Sequence, residues 1–400
     1  MRVGRQLRIC LIAVVGIVAA IAAESVGLGA EWSVEPSMTV KGEYNSNLLL
    51  AAGTQKSTSS YWVSPGAKFS GSTESFGVSG KMASDFVRYY GEVETAITNL
   101  YFPLSVQYRG ERSTWGFDGG FTRDNTLMRE LIQTGLVLSF TQRNRWDGGP
   151  TWTYKITERL SFESQYRFQD VTYENGLRLG LVDYQVHNGN AGLSYRLNES
   201  NSVQISGIYT EFLAPQGNNL VSDTYGAMLR GSHAFSERTT LTAGGGPRFV
   251  SNSVSLGSAS QRSSTTVWVF NANLTTKAER TEISLDVGRE IYPSGFGLLI
   301  QTDRVGATVS HDLTEEITVS LNGGAYLVNG ILTSSVARPF FESRYIFATP
   351  SMTWRLNEWW TVAGSYTYSQ RDVTDLNQLG ISNAARVMVT YSPSKLSVGW

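Results

Sequence analysis

The sequence predicts an all-β fold: a single transmembrane antiparallel up-and-down β-barrel of about eighteen strands. Three observations predict it. A motif recurs about every forty residues, side chains alternate with period two on both sides of each copy, and an aromatic residue or histidine holds a fixed place in most copies. Composition leaves room for little else. Of 400 residues, 12% are aromatic, too many for a disordered chain. The longest uncharged apolar run, Ile9 to Ala23, is shorter than the roughly 20 residues a spanning helix needs. With 33 basic against 34 acidic residues there is no electrostatic footprint for nucleic acid, and none is expected as a partner.

Taken from the N-terminus, residues 1–30 read as a secretory signal peptide: Arg2, Arg5 and Arg8, then the apolar run, then small residues, with cleavage after Ala22 or Ala30. A retained anchor is the alternative. Cys10, the only cysteine, lies in this segment, so the mature chain has no disulfide and no thiolate metal site, as suits passage through an oxidising compartment. Residues 31–400 form one barrel domain. Its first strand covers about Val34 to Asn45, with Met38, Val40 and Tyr44 on one face.

The repeat follows. Tyr154-Lys155-Ile156-Thr157-Glu158, Tyr195-Arg196-Leu197-Asn198-Glu199, His233-Ala234-Phe235-Ser236-Glu237, His311-Asp312-Leu313-Thr314-Glu315 and Trp354-Arg355-Leu356-Asn357-Glu358 share one form, and weaker copies centre on Glu74, Glu111 and Glu279. Propeller blades and helical solenoids share this period, but the flanks decide. Leu160, Phe162, Tyr166 and Phe168 alternate with Ser161, Glu163, Gln165 and Arg167; period two excludes helices. The runs are about ten residues or longer, enough for a tilted strand to cross a bilayer. Each Thr/Asn/Ser-Glu is a short polar turn whose side chain can bond nearby backbone groups. Four residues before the Glu stand Tyr154, Tyr195, His233, Thr275, His311 and Trp354, expected to ring the barrel at the lipid–water interface.

Eight turns pair sixteen strands; the first strand and a last one at about Asn383 to Tyr391 make eighteen. Sixteen or twenty remain alternatives, because Arg129 to Gly149 could hold an extra pair or one long loop. Beyond Tyr391, Leu396, Val398 and Trp400 alternate towards a terminal aromatic that looks like the signal read by the barrel-assembly machinery. Pro393 lacks a ladder donor, so a bulge or a short tail follows.

A barrel this wide leaves an aqueous interior. The inward charges are expected to be Lys41, Lys68, Lys81, Lys155, Arg167, Arg196, Arg230, Arg248 and Arg304, against Glu43, Asp85, Asp118, Glu163 and Asp286. That excess of cations either steers anionic solutes or is spent on cross-lumen pairs, and the two readings stand level. Tyr345 and Phe347 fall on inward parity: sugar-stacking platforms, or a slip of register, the slip being preferred. Catalysis has little support. There is no Gly-x-Ser-x-Gly elbow, Ser79-Gly80-Lys81 lacks the upstream glycine of a phosphate loop, and two of the three histidines, His233 and His311, occupy interfacial slots. The third, His187, has no assignable face. No enzyme activity, metal or cofactor is expected.

Several stretches resemble the outer-membrane β-barrel porins that accompany exosortase (PEP-CTERM) and exopolysaccharide gene clusters. These are Trp32-x-x-x-Pro36 leading to Glu43-Tyr44-Asn45-Ser46-Asn47, Glu130-Leu131-x-x-Thr134-Gly135, Pro150-x-Trp152-x-Tyr154-x-Ile156-Thr157-Glu158-Arg159, and Val171-Thr172-Tyr173-Glu174. The resemblance implies a bacterial outer-membrane channel, an exit for a secreted, alginate-like polysaccharide, with outer-membrane lipid and a periplasmic polysaccharide-export protein as partners. A general diffusion porin, an enzymatic barrel and a structural barrel using loops such as Ser46 to Ser59 and Ser251 to Ser264 are the alternatives.

Overall fold

The computed structural model describes residues 31–53, 57–91, 94–126, 140–216, 219–256, 259–331, 342–373 and 378–399. The expected signal peptide at 1–30, Trp400 at the end of the expected assembly signal, and the motif from Glu130 to Gly135 lie outside them. The strands are β1 (Glu31–Asn45), β2 (Thr58–Ser72), β3 (Phe76–Gly91), β4 (Thr95–Arg109), β5 (Ser113–Asn125) and β6 (Gln142–Lys155). They continue as β7 (Leu160–Tyr173), β8 (Tyr184–Arg196), β9 (Asn201–Ala214), β10 (Leu220–Ser236), β11 (Thr239–Leu256) and β12 (Ala259–Lys277). The last are β13 (Thr281–Ser294), β14 (Leu298–Asp312), β15 (Ile317–Gly330), β16 (Ser343–Arg355), β17 (Trp360–Val373), β18 (Gln378–Tyr391) and β19 (Leu396–Gly399).

From β1 to β18 consecutive strands pair antiparallel, and β1 pairs with β2 on one side and with β18 and β19 on the other. The sheet has no free edge. Residues 392–395 only interrupt the eighteenth strand: Val34 to Met38 is four steps, whereas Leu396 back to Tyr391 is five, so one extra residue bulges at Pro393 and β19 resumes the ladder. The result is a closed eighteen-stranded antiparallel barrel. All eight Glu turns join an even strand to the following odd one, so they lie on one rim together with Glu31 and Gly399.

The repeat has a local cause. Thr157 Oγ1 accepts from the backbone N–H of Arg159 (3.2 Å) and Leu160 (3.0 Å), Thr314 does the same for Glu316 and Ile317, and Asn357 Oδ1 does so for Trp359 and Trp360 (both 2.9 Å). Ser236 Oγ serves Arg238 and Thr239. The polar residue thus closes the turn on donors the ladder leaves over, while the Glu faces water.

Register corrects several expectations. Thr275 faces the lumen, its Oγ1 on Asn273, because the turns at Glu74, Glu111 and Glu279 have three residues, not four, and their outward slot lies three before the Glu, at Gly71, Tyr108 and Thr276. Ser251 to Ser264 is no loop: β11 and β12 pair without a break from Thr239↔Thr276 to Leu256↔Ala259. The long-loop rim is uneven, since β9–β10, β11–β12 and β13–β14 are joined by five residues or fewer. Twelve consecutive pairs between β15 and β16 show no slip, so Tyr345 and Phe347 do face inward.

Candidate functional site

Alternation through the ladder sorts every strand into two faces. The outward face carries an uncharged band. On β10 it runs His233, Gly231, Leu229, Ala227, Tyr225; on β13, Thr281, Ile283, Leu285, Val287; on β18, Tyr391, Val389, Val387, Ala385. From Tyr225 to His233, at about 3.3 Å per residue and a tilt near 40°, the band is roughly 20 Å tall, close to the apolar belt of a spanning barrel. Tyr154, Tyr195, His233, His311 and Trp354 stand on this face at the turn rim. Both histidines reach sideways to the next strand, His233 Nδ1 to Asn201 Oδ1 (2.7 Å) and His311 Nδ1 to Thr281 Oγ1 (2.9 Å).

A second aromatic ring lies towards the other rim, on Tyr44, Tyr61, Tyr90, Trp146, Tyr209 and Tyr225, and charges begin just beyond it at Arg123, Glu211, Asp223, Arg289 and Asp303. Sequence reading missed this ring because no turn marks it. His187 is on the outward face too, bonded to Tyr166 Oη (2.7 Å). Histidine, cysteine and carboxylate groupings able to hold a metal are absent among the described residues.

The inward face is the candidate site. Lys41, Glu43, Lys68, Lys81, Asp85, Asp118, Lys155, Glu163, Arg167, Arg196, Arg230, Arg248, Asp286 and Arg304 all fall on it by register. They do not behave alike. Towards the turn rim the wall is wet: Lys68 and Lys81 sit directly opposite each other on β2 and β3, both exposed, with no ion-pair partner among the described residues. They line one basin with Glu35, Asp118, Arg145, Asp147 and Arg167. Asp147 holds both Arg145 (3.0 Å) and Arg167 (2.6 Å). Like charges placed opposite one another cost stability, and Glu35, directly across from Lys68 on its other side, offsets that cost for one of the two lysines.

Towards the loop rim the inward face is dry. Val171, Tyr184, Val186, Phe212, Val250, Val269, Ile300 and Val328 form a buried cluster with Leu181 and Val182 of the β7–β8 connection, a segment with one 3-10 turn (Gly176–Leu179). Val182 N–H donates to Gly295 O (2.7 Å), tying this connection to the one between β13 and β14. A smaller cluster, Trp62, Val87, Tyr89 and Ile97, covers another sector, with Lys41 Nζ 3.2 Å from the Trp62 ring centroid. Most charges here are paired, Arg371 excepted: Glu43 bonds Arg386 (2.9 Å), and Asp124 and Arg143, both almost wholly buried, make a two-pronged pair at 2.8 and 3.0 Å.

The stretch Glu43-Tyr44-Asn45-Ser46-Asn47 builds a lock at this end. Asn47, fully buried, donates to Ala51 O and Ile381 O (2.9 and 3.0 Å) and accepts from Ala51 N–H. Ser382 Oγ bonds Asn45 Oδ1 (2.7 Å), and Ser46 and Asn383 exchange two bonds of 2.9 Å. The loop therefore folds onto β18 instead of projecting. Leu50 is held at φ 51°, a left-handed conformation costly for a leucine. Its carbonyl lies where a side chain on Gly380 would be, 2.1 Å from that Cβ position, so only glycine fits.

No protein-family model matches the chain, and no curated protein matches it. Among solved structures it is similar to Acinetobacter baumannii OccAB3, at 10% identity over 91% of this chain and 99% of that one, with a TM-score of 0.45. It is likewise similar to Pseudomonas aeruginosa OccK7 (OpdD), at 11% over 93% and 99% with a TM-score of 0.47, and to the copper transporter OprC, at 11% over 88% and 65% with a TM-score of 0.50. What the chain shares with OprC, at a TM-score of 0.50, is the fold alone.

Proposed function

We propose that the protein is an outer-membrane channel for hydrophilic anionic solutes. The observation that carries this reading is the wet basin on the turn-side wall, where Lys68, Lys81, Arg145 and Arg167 outnumber Glu35, Asp118 and Asp147 and the two lysines make no ion pair among the described residues, although Glu35 lies across from Lys68. A basic wall inside a low-dielectric tube concentrates anions and speeds their entry. The uncharged outward band supports placement in lipid, and the absence of a catalytic pairing in the sequence favours transport over an enzymatic barrel. Partners in this reading are outer-membrane lipid and the barrel-assembly machinery.

A second, narrower reading is the exit channel for a secreted polysaccharide, with a periplasmic export protein feeding it. It is favoured by the three inward aromatic rings of Tyr326, Tyr345 and Phe347, which a simple diffusion pore does not need.

Reversal potentials in planar bilayers under a KCl gradient test the first reading. The expected result is anion preference that falls, and at the double change reverses, in Lys68→Glu and Lys81→Glu. A conducting pore with cation preference in the unaltered protein contradicts it.

A further inference from the structure

We propose that the inward face of β14 to β17 is a binding subsite for an acidic oligosaccharide. This rests on the reading of the protein as a channel and names what that channel engages. Four residues form one cross-strand row: Arg304 lies opposite Tyr326, Tyr326 opposite Tyr345, and Tyr345 opposite Arg371. Three inter-strand gaps of about 4.8 Å set the two arginine backbones roughly 15 Å apart, a span for an oligomer and not for a single sugar.

Between the cations lie aromatic faces. The rings of Tyr326 and Phe347 are within 18° of parallel at 6.1 Å between centroids, and those of Tyr345 and Phe347 within 22° at 5.8 Å. Phe347 can lie flat beside Tyr326 because Gly324, opposite it, has no Cβ; one there would stand 2.9 Å from the ring. Tyr326 and Phe347 are half-buried and keep ring surface towards the lumen for the C–H face of a pyranose, while Tyr345, only 8% exposed, backs them.

The flanking cations differ in how well they are matched. Arg304 leans on Asp286 (3.5 Å) and Glu290 (3.8 Å). Arg371 is only 6% exposed, no carboxylate pairs with it among the described residues, and its Nε and Nη1 have no hydrogen-bond partner. A buried guanidinium left in this state is costly, and a carboxylate on a sugar held by the neighbouring tyrosines would relieve it with charge-assisted hydrogen bonds. Stacking and charge at a fixed spacing select an acidic saccharide over a neutral one and over a small anion.

Current block by trigalacturonate, maltotriose and inorganic phosphate in planar bilayers tests the subsite. Trigalacturonate is expected to block the unaltered channel, with block weakened about tenfold in Arg371→Gln and about tenfold in Tyr326→Leu, both migrating as folded barrels. Maltotriose block is expected to be weaker and unchanged by Arg371→Gln. Equal block by maltotriose, competition by phosphate as strong as by trigalacturonate, or variants indistinguishable from the parent would each overturn the proposal. Calorimetric titration of the detergent-solubilised protein with trigalacturonate separates site from channel. Binding that is lost in Arg371→Gln in a non-conducting protein keeps the subsite and removes the channel; no binding removes the subsite.

Discussion

The two ends of one lumen handle charge in opposite ways. At the turn end, Lys68, Lys81, Arg167 and Asp118 stand in water and Asp147 is shared between two arginines. At the loop end, Arg143 is locked on Asp124 and Glu43 on Arg386, and most of the remaining inward surface is packed with Val, Ile, Phe and Tyr, with Arg371 the buried exception. The difference teaches that an inward charge has no fixed meaning in a wide barrel. Where water reaches it, it sets the field seen by a passing solute; where folded-in connections exclude water, it becomes a fastening whose loss is structural.

Substitutions at the two ends sharpen this contrast. Arg143→Leu leaves Asp124 buried without its partner and is expected to lower folding stability by about 3–5 kcal/mol in urea titrations of vesicle-inserted protein. Arg167→Leu at the wet end is expected to change it by less than about 1 kcal/mol. Equal effects would erase the distinction. Next in size, Leu229→Arg puts a charge in the middle of the outward band and is expected to cost about 2–4 kcal/mol. Arg230→Leu, one residue along but inward, is expected to alter ion selectivity and leave stability nearly unchanged. Smaller again, Asn47→Ala removes three hydrogen bonds from the lock at the mouth. It is expected to cost about 1–3 kcal/mol and to raise single-channel conductance as the loop lifts from β18; unchanged conductance would separate the lock from gating.

Much of this architecture is legible in the chain because the forces that set it are local. Thr157, Thr314 and Asn357 close their turns on their own neighbours, and alternation such as Tyr225, Ala227, Leu229 needs only lipid on one side and water on the other. Where contacts span distant strands, the sequence is silent. Nothing around Val182 says that it meets Gly295, and nothing in Asn45-Ser46-Asn47 says that it fastens to Ile381 and Ser382, more than 330 residues away. The three-residue turns show the same limit on a small scale: Glu279 looks like its relatives, yet one residue fewer in the turn moves Thr275 to the other face. Of the binding row, Tyr345 is visible by parity, but its alignment with Arg304 and Arg371 exists only in the register of four strands.

The central claim is that one face of each strand meets lipid and the other meets water. Cysteine scanning tests it most directly, because the chain's only cysteine, Cys10, lies in the expected signal peptide, outside the described residues. Single cysteines at positions 225 to 234 of the vesicle-reconstituted protein would be treated with a charged, membrane-impermeant thiol reagent. The expected result is labelling at Gly226, Met228, Arg230 and Ser232 and protection at Tyr225, Ala227, Leu229 and Gly231, in strict alternation. Labelling that ignores parity, or that falls on the odd positions, would contradict the barrel as described.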